Sequence, residues 1–244
     1  MIELDLRNEV NEKIKPFFDE ILSNYTDNVH SLYVTGSALT KDFDPKVSDI
    51  NSVIVLKKMD LKFLELIAPL GKKYGKKRVS APLIMTPEYI INSLDVFPIE
   101  FLNIQILHKT VYGEDSFQDI EIRRDDLRHQ CERELKVKLI GLRQGYIASS
   151  GDRRILTDGF VNSFSGYIPL FRGIILLLGK EPPKEISDVL NALEEATGVN
   201  TRVFHEVLRE KKERIKLSIE KLNTIFEDYY KSIETLGHIV DEIK

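Results

Sequence analysis

A chain of 244 residues has room for one large domain or two of ordinary size, and its 42% hydrophobic content is enough for a buried core. The net charge of −4 argues against sequence-independent nucleic-acid binding, which needs a strongly basic face. The single cysteine, Cys131, excludes an internal disulfide framework, and the apolar run "GIILLLG" is too short to span a bilayer. Because the first residues also lack the apolar run of a signal peptide, we expect a soluble, cytoplasmic protein without a membrane partner.

Helical and strand patterns alternate through the first half of the chain. Apolar residues at helical spacing come first, from residue 5 to about 25. The predicted elements that follow are a strand in "HSLYVTG", a strand in "INSVIVL", a helix in "LKFLELIAPLGKKYG" that breaks near Pro69, a strand in "APLIMT", a helix in "PEYIINSL" capped by Thr86, and a long strand in "FPIEFLNIQIL". This alternation predicts an α/β (α+β) domain with a mixed sheet over residues 1–117.

Strand patterns are absent from the second half. Apolar residues three and four apart predict helices over residues 121–148, 154–178 and 184–196, and a last helix that carries Ile215 to Val240 close to a heptad repeat. Residues 118–244 are therefore predicted to form an all-α helical bundle. If the protein is a homo-oligomer, we expect the contacts in this helical domain.

A basic run, "KKYGKKR", extends from Lys72 to Arg78. Its simplest interpretation is a solvated helix end whose cations complement the helix dipole, and a polyphosphate contact is the alternative. The glycine spacing does not match a P-loop, and Lys76 is followed by another lysine instead of Ser or Thr.

A polar motif lies between the first two predicted strands. Gly36 and Ser37 follow an apolar strand, where a glycine allows close approach of a phosphate to the backbone, and residues 38–41 are predicted to begin a helix. Asp49 and Asn51 come later, two residues apart, so that they project from one face of the next strand, roughly 7 Å from each other along it. Oxygen ligands spaced in this way suit Mg²⁺ ions that also bind phosphates.

This stretch resembles the signature of the DNA-polymerase-β-like nucleotidyltransferase superfamily. That signature has an apolar residue, Gly, then Gly or Ser, and about ten residues later Asp, an apolar residue, and Asp or Glu. Val34–Ser37 and Asp49–Asn51 match it, with eleven residues between Ser37 and Asp49. The order of elements along the whole chain resembles the kanamycin-nucleotidyltransferase type, in which a helical bundle follows a small α/β catalytic domain. The departure from the signature is Asn51, which stands where the family has a second carboxylate.

The resemblance implies ATP or another nucleoside triphosphate as donor, Mg²⁺ as cofactor, and a third carboxylate on a later strand of the same sheet. Glu100 is the one acid in "PIEFLNIQI", and we expect it to be a metal ligand or the general base, although an exposed edge-strand position is an alternative. Asp49, Asn51 and Glu100 are thus the candidate catalytic and metal-binding residues. Gly36 and Ser37 are the candidate triphosphate-binding residues.

Asn51 leaves more than one function open. An amide oxygen can coordinate Mg²⁺ but carries no full charge, which should cost several kcal/mol of metal affinity or transition-state stabilisation. The sequence therefore supports an active nucleotidyltransferase acting on a hydroxyl of a small molecule or protein, or a degenerate relative that binds nucleotide as a sensor or regulatory partner. A helical interaction protein with an α/β cap is the third alternative.

Three arginines of the helical half, Arg143, Arg153 and Arg154, have two interpretations. They could grip a triphosphate or an acidic acceptor through bidentate contacts, or belong to a charged connection between helices.

Overall fold

The structure is a computed structural model that describes residues 5–213 and 217–243, without the side chains of 161, 162, 211 and 212. Two compact units form. The first contains the chain up to Asp95 together with Asn103–Glu121, and the second contains Val96–Leu102 together with the chain from Ile122 onwards.

The first unit is built on a four-stranded sheet. Its strands are β1 (Val29–Thr35), β2 (Asn51–Leu56), β3 (Leu83–Met85) and β4 (His108–Gly113), in the order β3-β2-β1-β4. The central strand β1 is antiparallel to β2 and β4, whereas β2 and β3 are parallel. The mixed sheet predicted from the sequence is therefore confirmed.

Helices of the first unit bury apolar side chains against this sheet. They are α1 (Asn8–Tyr25) and α2 (Leu61–Gly75), and the short α3 (Pro87–Asn92) follows β3 along the chain. Five residues of α1 at helical spacing join the core, together with strand residues such as Leu32, Val34 and Ile54. The α1 residues are Val10, Ile14, Phe17, Phe18 and Ile21.

Two local expectations in this unit have different outcomes. Thr86 caps α3 as predicted, because its hydroxyl accepts a hydrogen bond from the N–H of Tyr89 at 3.1 Å. The predicted break near Pro69 was wrong, since α2 continues to Gly75. Pro69 is exposed, so water can take the place of the hydrogen bond that a proline removes.

The predicted strand in "FPIEFLNIQIL" was wrong. Residues Pro98–Ile106 form a helix, α4, and only then does the chain enter β4. Ile99, Phe101, Leu102 and Ile104 are all buried, so apolar residues occur on more than one side of the helix. A buried helix of this kind imitates the alternation of a strand, and length cannot separate the two in so short a run.

In the part of the second unit that the structure describes, six helices follow the first half of α4. They are α5 (Arg124–Ser149), α6 (Arg153–Phe164), α7 (Ile168–Leu177), α8 (Ile186–Thr197), α9 (Arg202–Glu213) and α10 (Ile219–Glu242). On α10 the buried residues recur at heptad-like spacing and include Leu222, Tyr229, Ile233, Leu236 and Val240. Ile215, where the predicted pattern begins, lies outside the described residues. The helical region predicted after the sheet is confirmed.

Two details of the helical unit differ from the sequence-based expectation. The single helix predicted over 154–178 is divided into α6 and α7 by a turn at Ser165–Tyr167, and Pro169 stands in the first turn of α7, where its missing N–H costs nothing. Helix α9 was not predicted at all. Within the described ranges, no helix combines the length and hydrophobicity needed to cross a membrane.

Candidate functional site

The pairing of β1 with β2 brings the two parts of the polar motif together. Thr35, the last residue of β1, lies opposite Asn51, the first residue of β2. Gly36 follows directly, and a Cβ placed on it would lie 3.5 Å from Nδ2 of Asn51. The glycine and the amide side chain are therefore neighbours at the same end of the sheet.

The Gly-Ser turn is a single helical turn of four residues, Gly36–Leu39, and not the start of the longer helix that was predicted over 38–41. The chain returns to an extended conformation at Thr40, whose N–H and hydroxyl both donate to the carbonyl of Ser37. Gly36 has a φ of +73°, a conformation that favours glycine. Its N–H donates to the carbonyl of Leu107 at 2.9 Å, which ties the turn to the residue before β4.

Two side chains at this turn have no hydrogen-bond partner within the described residues. They are the hydroxyl of Ser37, which is half-buried, and the amide of Asn51, which is exposed. Both are neutral groups that can donate to or coordinate a ligand. Their hydrogen-bonding capacity is available to solvent or to a bound molecule.

Asp49 lies two residues before β2, and its side chain is exposed. Its Oδ1 lies 3.4 Å from Nη1 of Arg78. Ile50, between Asp49 and Asn51, donates its N–H to the carbonyl of Arg78 at 2.8 Å and accepts from Ser80 at 3.0 Å. This short parallel bridge holds Arg78 beside Asp49.

The sequence predicts a helix end, or alternatively a polyphosphate contact, for the whole run from Lys72 to Arg78, and it does not single out Arg78. Helix α2 stops at Gly75, and Arg78 stands apart with a φ of +64°, unusual for a residue other than glycine. Its Nη1 also donates to the carbonyl of Val47 at 3.1 Å. The feature of the sequence that could have indicated Arg78 is its position immediately before the apolar residue Val79. In the structure, Val79 pairs with Ile50, between Asp49 and Asn51.

His108, the first residue of β4, stabilises the backbone around the turn. It pairs with Thr35, and its Nε2 lies 2.9 Å from Oδ2 of Asp115. Burial raises the pKa of Asp115, but the hydrogen bonds from His108 and from the N–H of Phe117 outweigh that effect and hold the pKa below its usual range. Asp115 is thus an ionised partner of His108 and of the backbone.

Glu100 is not on the sheet, so the expectation of a third carboxylate on a later strand was wrong in its placement. It lies in the first turn of α4, in the half of that helix that belongs to the second unit. Its carboxylate is exposed and accepts a hydrogen bond of 2.7 Å from Nε2 of Gln130. The Oε1 of Gln130 in turn accepts from the N–H of Ile99 at 2.7 Å. Glu100 is therefore held by the helical unit.

The donor set at the end of β2 has the chemistry of a weak Mg²⁺ site. Asp49 offers a carboxylate and Asn51 an amide oxygen, and both side chains are exposed. Among the residues that the structure describes, no three His, Cys, Asp or Glu side chains form a group that could hold a metal. These two oxygens suit an ion that takes its other ligands from water and from a phosphate.

The three arginines of the helical half have partners within their own unit. The guanidinium of Arg143 covers the ring of Tyr230 and donates to its hydroxyl, with Nε 2.9 Å from the oxygen. Arg153 reaches the carbonyl of Leu217 at 3.5 Å, and the exposed Arg154 lies 3.8 Å from Asp158. These contacts agree with the interpretation as charged side chains between helices.

The structure is similar to the crystal structure of spectinomycin adenyltransferase AAD(9) from Enterococcus faecialis with ATP and spectinomycin. The TM-score is 0.56 at 15% sequence identity, and the likeness covers 92% of this chain and 99% of that one. No family model matches the sequence, and no match was found among curated proteins. At this identity the likeness establishes the fold. The predicted resemblance to nucleotidyltransferases of the kanamycin type is thereby confirmed for the architecture.

Proposed function

We propose that this protein is a nucleotidyltransferase that moves a nucleoside monophosphate from ATP or another nucleoside triphosphate to a hydroxyl group. The observation that carries the proposal is the meeting of Gly36, Asn51 and the neighbouring Asp49 at one end of the sheet. The similarity in fold to an adenyltransferase crystallised with ATP supports it.

In this proposal the triphosphate lies against the Gly36–Leu39 turn. Gly36 has no side chain to block the approach of a phosphate, and the hydroxyl of Ser37 is free to donate a hydrogen bond. Arg78 contributes the positive charge, since a guanidinium can contact two phosphate oxygens at once. Before nucleotide binds, its contact with Asp49 is an exposed ion pair, which is worth at most about 1 kcal/mol and is easily exchanged.

Asp49 and Asn51 are the residues that would hold Mg²⁺ at this site. The ion would supply positive charge against the oxygens of the triphosphate, the main requirement of phosphoryl transfer. Because Asn51 is neutral, we expect metal and nucleotide to bind together, each completing the site of the other.

The reaction joins the acceptor oxygen to the α-phosphorus and breaks the bond from that phosphorus to the oxygen bridging to the β-phosphate. Pyrophosphate leaves with the electron pair of the broken bond, and the proton of the acceptor hydroxyl must pass to a base. The sequence predicts Glu100 for this role, and its exposed carboxylate in the helical unit has oxygen lone pairs beyond the one that Gln130 uses. The acceptor in this proposal is a small molecule or a protein.

One observation favours a second function, that of a nucleotide-binding sensor or regulatory partner without turnover. The two oxygen donors at the sheet, Asp49 and Asn51, carry one charge between them. Weak metal binding of this kind is compatible with nucleotide binding and would reduce catalysis.

Two measurements separate these functions. Calorimetry with ATP, in Mg²⁺ and in chelator, should show binding that Mg²⁺ strengthens if either nucleotide-based proposal is right. ATP labelled at the α-phosphate, incubated with the protein and with pools of hydroxyl compounds and proteins, should then transfer its label if the protein is an enzyme. Binding without transfer would support the sensor, and a chain that binds no nucleotide in either condition would contradict both.

A further inference from the structure

The helical unit contains a cavity of about 450 Å³ between α5, α6 and α10. Its walls are mainly apolar, with Leu142, Leu156, Phe160 and Phe226 among the lining residues. Val137 and Ile155 line the cavity and are also about half exposed, so the cavity opens to solvent. A volume in this range and a mainly apolar wall are typical of sites for small organic ligands.

Glycines create much of the space. Gly141 and Gly145 lie one turn apart on α5, and Gly159 lies on α6; a Cβ added at any of the three would meet no atom within 4 Å. Glycine in a helix interior costs roughly 1 kcal/mol relative to alanine. Three such positions therefore reduce helix stability and leave open volume that larger side chains could have filled.

One charged side chain, Lys138, is among the described residues that line the cavity. Its Nζ lies 4.5 Å from the centre of the Tyr167 ring, and it makes no hydrogen bond to a described residue. Desolvation lowers the pKa of Lys138, an effect that Glu134 partly offsets. An ammonium in such surroundings gains by contact with an anion.

Two hydroxyls of the wall are already used. Ser163 donates its hydroxyl to the carbonyl of Phe160 at 3.2 Å, and Tyr146 donates to Asn223 at 3.3 Å. Lys138 is the charged group of the described wall whose hydrogen bonds a ligand can satisfy. A neutral apolar molecule would leave it unsatisfied, whereas an acid would not.

We propose that this cavity binds a small carboxylic acid with an apolar body, whose carboxylate pairs with Lys138 and whose body fills the space above the three glycines. The site is independent of the nucleotide site proposed for the first unit. Its ligand is an aliphatic or aromatic monocarboxylate, because the wall offers apolar area and a single positive charge.

The test uses the full chain and two probes of the same length, decanoate and decanamide, measured by calorimetry at neutral pH. Decanoate should bind to the wild type on the order of tenfold to a hundredfold more tightly than decanamide, since a hydrogen bond to a charged group contributes that much. Lys138→Met, which keeps the apolar stem, should abolish this preference. Gly145→Leu should weaken both probes by filling the cavity.

Gly237→Leu is the matched control, because Gly237 is a helical glycine of α10 that also has open space at its Cβ but does not line the cavity. It should leave decanoate binding unchanged. Circular dichroism checks the fold of each variant, and Gly159→Leu replaces Gly145→Leu if the latter does not fold. Equal binding of the two probes, or decanoate binding that survives both leucine substitutions, would overturn the proposal. So would sedimentation that shows self-association lost in Gly145→Leu without any acid binding, because a second copy would then cover the cavity.

Discussion

The end of the sheet and the beginning of α4 carry the two groups of candidate catalytic residues, and they hold their side chains in different ways. At the sheet, Ser37 and Asn51 have no hydrogen-bond partner within the described residues, and Asp49 has only an exposed ion pair at 3.4 Å. At α4, Glu100 is fixed at 2.7 Å by Gln130, which is itself buried and bonded to the backbone. The side chains at the sheet end have hydrogen-bonding capacity that a ligand can use, whereas the carboxylate on α4 is already held in one position before any ligand binds.

This difference in how the side chains are held predicts different effects of substitution, which can be tested. Groups without partners contribute to ligand affinity, because binding satisfies them for the first time. A carboxylate held in place before binding suits proton transfer, which depends on position more than on affinity. Substitutions at the sheet end should therefore change binding as well as transfer, whereas substitution of Glu100 should change the rate and leave binding unchanged.

The largest effect is expected from Asp49→Asn. Loss of the one charged ligand should reduce Mg²⁺-dependent nucleotide transfer on the order of a thousandfold, and should remove the strengthening of ATP binding by Mg²⁺. Stability should change by less than about 1 kcal/mol, because the ion pair with Arg78 is exposed. Calorimetry in Mg²⁺ and in chelator, with thermal unfolding of each variant, measures both quantities.

Asp44→Asn is the control for the change in charge. Asp44 is an exposed turn residue of the same loop, and its Oδ1 accepts from the N–H of Lys46, which an asparagine can still do. This variant should bind ATP and Mg²⁺ like the wild type. If the two substitutions have equal effects, the loop acts through its overall charge and Asp49 is not a ligand.

Glu100→Gln should have the next largest effect. A glutamine oxygen can still accept the hydrogen bond from Gln130, so the fold and the dissociation constant for ATP should stay unchanged. The transfer rate should fall about a hundredfold or more, since a positioned general base contributes at least that much. Steady-state rates with saturating ATP measure the loss.

Glu88→Gln is the comparison for this prediction, because Glu88 is an exposed acid in the first turn of α3. It should leave the rate unaltered. A Glu100→Gln protein that transfers nucleotide at the wild-type rate would show that Glu100 is not the general base.

The sequence predicted the two strands next to the polar motif, because their apolar patterns are local. Their pairing places Asn51 opposite Thr35, whereas Asp49, predicted on a face of the second strand, lies two residues before β2. Glu100 was misplaced because α4 is short and apolar on several sides. Arg78 was not singled out from its basic run, because its position depends on the long-range bridge from Val79 to Ile50. Such tertiary contacts have no signature in a single sequence.

Asn51→Asp should make the sheet end more dependent on metal. A second carboxylate there should tighten Mg²⁺ binding about tenfold, because a charge-assisted contact is roughly twice as strong as a neutral one. ATP binding in chelator should weaken by repulsion between the new charge and the triphosphate. Metal titrations with and without ATP measure this change. Equal Mg²⁺ affinity in wild type and variant would show that Asn51 does not contact the ion.

The smallest effect is expected from Arg78→Gly, a substitution that separates backbone strain from charge. Arg78 has a φ of +64°, which costs about 1 kcal/mol for a side chain with a Cβ and nothing for glycine. Glycine loses a similar free energy through the entropy of the unfolded chain, so the free energy of unfolding should change by less than about 1 kcal/mol.

ATP affinity should nevertheless fall about tenfold in Arg78→Gly, because a guanidinium contact with phosphate is lost. If Arg78 contacts the β- and γ-phosphates, the affinity for AMP should fall less than the affinity for ATP. Lys76→Ala removes the same charge from an exposed position two residues away and controls for long-range attraction. If the affinities for ATP and for AMP fall by the same factor in both variants, Arg78 attracts the nucleotide only through its charge. A selective loss of ATP binding in Arg78→Gly would instead make this arginine part of the phosphate site, because only a direct contact distinguishes the outer phosphates from the first.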